Sequence, residues 1–71
     1  MPRSPLTKAQ RRVFDFIVYY KNSNGRPPTR REISDHFGWT AHNAASQHLL
    51  LIERKGYLRL VDNTARGIEI L

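Results

Sequence analysis

Asn43, Ser46 and Gln47 fall within five consecutive positions, and each ends a short side chain in a group that both donates and accepts hydrogen bonds. Side chains of that kind suit the edges of base pairs, since asparagine and glutamine pair bidentately with adenine and serine can meet several bases. Ala41 and Ala44, interspersed with them, are small enough for close approach, and an alanine methyl can meet a thymine methyl. The plainer alternative is the solvent-facing side of an ordinary amphipathic helix. Arg30 and Arg31 stand where another helix should begin; their guanidinium forks and the free amides of a helix start together suit a phosphate. Lys55 is expected on a phosphate as well. Arg66 is expected near a minor groove, where negative potential attracts arginine.

Other chemistries find less support. His36, His42 and His48 recur every six residues, which on one helix sets His42 and His48 about 120° apart, and no acid joins them. No metal is expected: His42 reads as a polar residue at the DNA-facing helix end and His48 as a partly buried one. The chain has no cysteine, so neither a disulfide scaffold nor a Cys-based zinc site is available. Serine, histidine and aspartate all occur, but no Gly-x-Ser-x-Gly turn presents a nucleophile. No enzyme activity, cofactor or small-molecule ligand is expected. Leu50 is the odd residue, an apolar side chain among Ser46, Gln47 and Arg54; it reads as a lone exposed leucine or as part of a contact patch.

The elements that must hold these residues are marked by their ends. Thr7-Lys8-Ala9-Gln10 is a capping box, in which threonine accepts from the glutamine amide and glutamine reaches back. Behind it Val13, Phe16, Ile17 and Tyr20 form one helical stripe, broadened by Phe14 and Val18, and Asn24-Gly25 followed by Pro27-Pro28 ends the helix. Thr29-Arg30-Arg31-Glu32 repeats the box and opens a two-turn helix closed by Gly38. After Trp39 and Thr40 a third helix is expected from about Ala41 to Lys55, with Gly56 as its left-handed cap. Its buried face should hold Ala41, Ala45, Leu49 and Ile52. The period then falls to two: Leu58 and Leu60 flank Arg59, and Ile68 and Ile70 flank Glu69. A β-hairpin with the loop Asp62–Gly67 is predicted. The class is α+β, a winged helix-turn-helix: three helices followed by a C-terminal two-stranded hairpin wing. Residues 1–5 read as a flexible arm and 6–71 as one domain, with the helix-turn-helix at about 30–50 and the wing at about 57–71.

Composition agrees. Seventy-one residues allow one domain. The net charge is +6 and uneven: residues 1–31 carry eight bases against Asp15 alone, for +7, and the rest carry four bases against five acids, for −1. A basic segment of this kind is the footprint of a polyanion binder. The longest apolar run, Leu49–Ile52, is four residues, far below the roughly 18 of a membrane span. With no apolar signal core at the N-terminus, a cytoplasmic protein, bacterial or phage-encoded, is expected.

Several strings resemble one family. Pro27-Pro28-Thr29-Arg30-x-Glu32-Ile33 followed by Asn43-Ala44-Ala45-x-x-His48-Leu49, with Leu6-Thr7, Val13-Phe14-Asp15, Arg54-Lys55-Gly56 and Arg66-Gly67-Ile68, looks like the N-terminal DNA-binding domain of LexA repressors, without a gap from Leu6 to Leu71. The resemblance implies a repressor that sets its recognition helix in the major groove of a palindromic double-stranded DNA operator, as a homodimer on DNA and weak or monomeric alone. It places base readout at Ala41, Asn43, Ala44, Ser46 and Gln47. Thr40 and His42 join Arg30, Arg31, Lys55 and Arg66 on the phosphates or in the minor groove. The sequence departs from the familiar pattern at Ala41-His42, in place of Ser-Pro, and at Ser46-Gln47, in place of two glutamates. These exchanges imply a different operator, stronger nonspecific binding and a helix cap moved to Thr40. The family's C-terminal self-cleaving Ser/Lys peptidase domain is absent from this chain, which suits either an excised domain or a complete small regulator. A winged-helix module that docks on another regulator through Leu50, Trp39 and Tyr57 is the alternative.

Overall fold

Both capping boxes form. In the computed structural model, which describes residues 4–41, 43–62, 64 and 66–71, the Thr7 hydroxyl accepts from the Gln10 amide at 3.2 Å and Gln10 Oε1 from the Thr7 amide at 3.1 Å. They open α1, Lys8–Asn24. Thr29 and Glu32 exchange the same two bonds, at 3.1 and 2.8 Å, and open α2, Arg30–Phe37. Gly38 ends α2 at φ 70°, a left-handed conformation in which a side chain would be strained. The Trp39 amide then reaches back to the Ser34 carbonyl, the long bond of a Schellman turn.

The third helix, α3, runs Ala44–Arg54, three residues shorter at its start than the sequence suggests. Thr40 is not its cap. Asn43 holds that position, and its carbonyl receives the first helical bond, from the Gln47 amide at 2.9 Å. The reason lies upstream. The Trp39 ring is stacked between Phe37 at 4.9 Å and His48 at 4.6 Å, so the chain must still turn through Thr40 and Ala41 before helical bonding begins. Ala41, expected on the buried face, is therefore exposed.

The hairpin pairs β1, Leu58–Leu60, with β2, Ile68–Ile70, in antiparallel register: Leu58 opposite Ile70, Arg59 opposite Glu69, Leu60 opposite Ile68. Arg59 and Glu69 form an ion pair on the outer face. A Cβ at Gly67 would lie 2.3 Å from the Val61 carbonyl oxygen, so only glycine fits where the loop rejoins the ladder. The inner face completes one core with Val13 and Ile17 of α1, Ile33 of α2, and Ala45, Leu49 and Ile52 of α3. The fold is thus the winged helix-turn-helix that the sequence implies. Among the described residues no helix is long and apolar enough to cross a membrane.

Candidate nucleic-acid interface

The N-cap of α2 sets the first wall of the site. The Thr29 hydroxyl takes the Glu32 amide, while the amides of Arg30 and Arg31, at the first two helical positions, have no intrahelical partner. Both arginines, with Ser34 one turn on, line a depression of about 550 Å³. The rest of its lining is Trp39, Thr40 and Ala41 from the turn and Asn43, Ala45 and Ser46 at the start of α3. Six of the eleven residues singled out from the sequence therefore meet in one concavity: Arg30, Arg31, Thr40, Ala41, Asn43 and Ser46. Cationic forks stand on one side and short polar groups on the other. Asn43 makes no side-chain cap bond, so its amide is not spent on holding the helix.

The remaining five are distributed differently. Ala44 is half-buried on the first turn of α3. Gln47 is exposed and lines a shallow trough with Leu50, Leu51 and Arg54 further along the same helix. His42 lies outside the described residues.

Lys55 and Arg66 lie apart from that depression, and both cations make hydrogen bonds within the molecule. The Lys55 ammonium donates to Gln10 Oε1 at 2.6 Å and to the Pro5 carbonyl at 2.9 Å, tying the end of α3 to the start of α1. With the bond from the Tyr57 hydroxyl to the Ser4 carbonyl at 2.9 Å, it also fixes two residues of the expected arm; residues 1–3 lie outside the described set. Arg66 turns inward from the wing and donates to the Pro27 carbonyl at 2.8 Å and to both Glu32 oxygens at 2.8 and 3.2 Å. The Tyr20 hydroxyl also donates to Glu32, at 2.9 Å. Hydrogen bonding from Arg66, then from the Thr29 amide, holds the Glu32 carboxyl down at about 2. Reciprocally, Glu32 raises the pKa of Arg66. On the other side Glu53 accepts from the Leu60 amide at 2.8 Å, so the wing is bound to α2 and to α3 alike.

Three residues of the depression were not singled out as DNA contacts by the sequence. Ser34 follows Arg30 and Arg31 at helical spacing, a signal that could have found it. Trp39 and Ala45 serve chiefly as packing: the indole is stacked on both faces and Ala45 belongs to the core. The residues of the docking alternative do not gather. Leu50 lies in the trough on α3, Trp39 in the larger depression, and Tyr57 packs edge-on against Phe14 at 5.5 Å.

Comparison with known proteins accords with this geometry. Residues 3–67 match the family model described as the LexA DNA binding domain. Over all 71 residues the chain is 44% identical to the LexA repressor of Actinobacillus pleuropneumoniae and to that of Haemophilus ducreyi, covering 34% of each repressor. It is 47% identical over 68 residues to the LexA repressor of Alcanivorax borkumensis, covering 96% of this chain and 33% of that one. The chain thus spans about a third of the length of the curated relatives it matches.

Proposed function

This chain belongs to the LexA DNA-binding domain family, and we propose that it is the operator-binding part of a transcriptional repressor. It grips double-stranded DNA and sets the leading turn of α3 against base edges in the major groove. The observation that carries this reading is the shared depression: Arg30 and Arg31 on one wall, Asn43 and Ser46 on the other, with Ala41 between them. Phosphate contacts fix register without reading sequence, and base-edge contacts read it; the two walls divide along that line. Gln47, exposed on the next stretch of α3, extends the readout. Ser46 and Gln47 can donate as well as accept, which supports an operator different from one read by two glutamates.

A module this small covers one half-site. Two copies on a palindrome, with half-sites about one helical turn or a multiple apart, bind better than either alone. Binding sites selected from a randomised duplex pool test the reading and yield the half-site spacing directly. On the selected site Asn43→Ala is expected to cost about 1–3 kcal/mol while leaving affinity for random duplex nearly unchanged. Equal weakening on both would remove Asn43 from base readout. An apolar docking module, by contrast, would have no salt-sensitive DNA binding to lose.

A further inference from the structure

Leu50 is 51% exposed and Leu51 beside it 45%, whereas the α3 aliphatics at positions 45, 49 and 52 are buried. Its place on the helix gives that exposure a meaning. At 3.6 residues per turn, positions 43, 47, 50 and 54 fall within about 60° of one another, and all four side chains are exposed. The buried trio occupies the opposite arc. Leu50 therefore stands on the stripe that begins with Asn43, flanked by Gln47 and Arg54 in the same trough.

We infer that Leu50 is a specificity residue, packing its branched end against the 5-methyl group of a thymine in the major groove. The inference rests on the proposed function, since it needs the leading stripe of α3 to face the duplex. Three residues advance a helix by about 4.5 Å, close to the roughly 3.4 Å between stacked bases. A side chain three residues beyond Gln47 thus meets the neighbouring base step. Gln47 uses hydrogen bonds there; Leu50 has none to offer, and in the major groove the thymine methyl is the apolar feature to be met. Arg54, on the same stripe one turn on, provides the charge that holds this end of the helix to the backbone. A lysine or glutamine at 50 would satisfy solvent better and would not distinguish thymine from uracil.

The test is a duplex carrying a selected site in which each thymine in turn is replaced by uracil, which deletes the methyl and keeps the pairing. The full 71-residue chain is expected to lose about fourfold in affinity at one thymine per half-site, the worth of one buried methyl. Leu50→Ala is expected to lose a similar factor on the thymine duplex and to show no further penalty on the uracil duplex at that position. Asn43→Ala is expected to keep the penalty. An unchanged uracil penalty in Leu50→Ala overturns the assignment and leaves the proposed function standing, as does the lack of any penalty in the native chain. A loss seen only on duplexes with two half-sites overturns it in favour of contact between copies. Failure of the native chain to bind any duplex would sink both this inference and the reading beneath it.

Discussion

Arg30 and Arg31 and Lys55 should separate cleanly under salt, although all three are cations of the same helical half of the molecule. Each phosphate neutralised contributes about −0.9 to the slope of log affinity against log salt. Arg30 and Arg31 line the depression beside unpaired helix-start amides; if each meets one phosphate, Arg30→Ala with Arg31→Ala should flatten the slope by about 1.8. Between 50 and 200 mM salt the double variant should then lose about twelvefold less affinity than the native chain loses. Lys55 is as basic, and sequence alone gives it the same role. Its ammonium, however, already donates to Gln10 Oε1 and the Pro5 carbonyl, so Lys55→Met should leave the slope within a few tenths of native. It should instead lower the thermal midpoint, by freeing the start of α1 from the end of α3. Fluorescence anisotropy of a labelled random duplex at four or five salt concentrations gives the slopes, and a melting curve gives the midpoint. A slope flattened by about 0.9 in Lys55→Met, with an unchanged midpoint, would refute the argument, because the lysine would then leave its internal partners to bind DNA.

Two further expectations follow from packing and pairing. Leu49→Ala removes a fully buried side chain of α3 and should cost about 2–5 kcal/mol, out of the about 4–11 kcal/mol usual for 71 residues; urea unfolding should show the midpoint fall sharply, and a loss under 1 kcal/mol would mean the site collapses around the void. Glu32 is held at about 2, against an ordinary value near 4.5, so its stabilising effect is complete above the ordinary value and fades as pH falls towards 2. Glu32→Gln keeps a capping box, as Gln10 shows in α1, but loses the ionic hold on Arg66; the gap in thermal midpoint between native and variant should be full at pH 6 and close between pH 5 and 2. A gap that persists at pH 2 would mean the neutral bonds, not the charge, hold the wing.

Local signals were the legible ones. The threonine boxes at 7 and 29, the glycines at 25, 38 and 56, and the alternation around Arg59 and Glu69 each specify a bond or dihedral within a few residues, and each element stands where those signals put it. The start of α3 was misjudged because its cause is tertiary: Trp39 is pinned between rings at positions 37 and 48, and Ala41, which helix periodicity would have claimed, lies outside the helix. The internal partners of Lys55 and Arg66 have the same tertiary origin. Lys55 finds its partner 45 residues away and Arg66 finds Glu32 34 residues away, and no spacing rule on a linear chain reports such a meeting. Charge can be counted in a sequence; whether a charge is already spent depends on the fold.

That spending also shapes the field the molecule presents. Among the described residues both ion pairs draw their cation from the hairpin, Arg59 with Glu69 and Arg66 with Glu32, and none from residues 4–31. Pairing removes one positive and one negative charge each time, so the net +6 is unchanged while its centre moves away from the wing and towards α1 and the start of α2. Had Glu32 stayed unpaired, a carboxylate would sit two residues from Arg30 and one from Arg31, weakening both towards a phosphate. Arg66 cancels it from the far side. In this fold the wing arginine neutralises the one acid built into the α2 cap and locks the hairpin to the helix that carries Arg30 and Arg31.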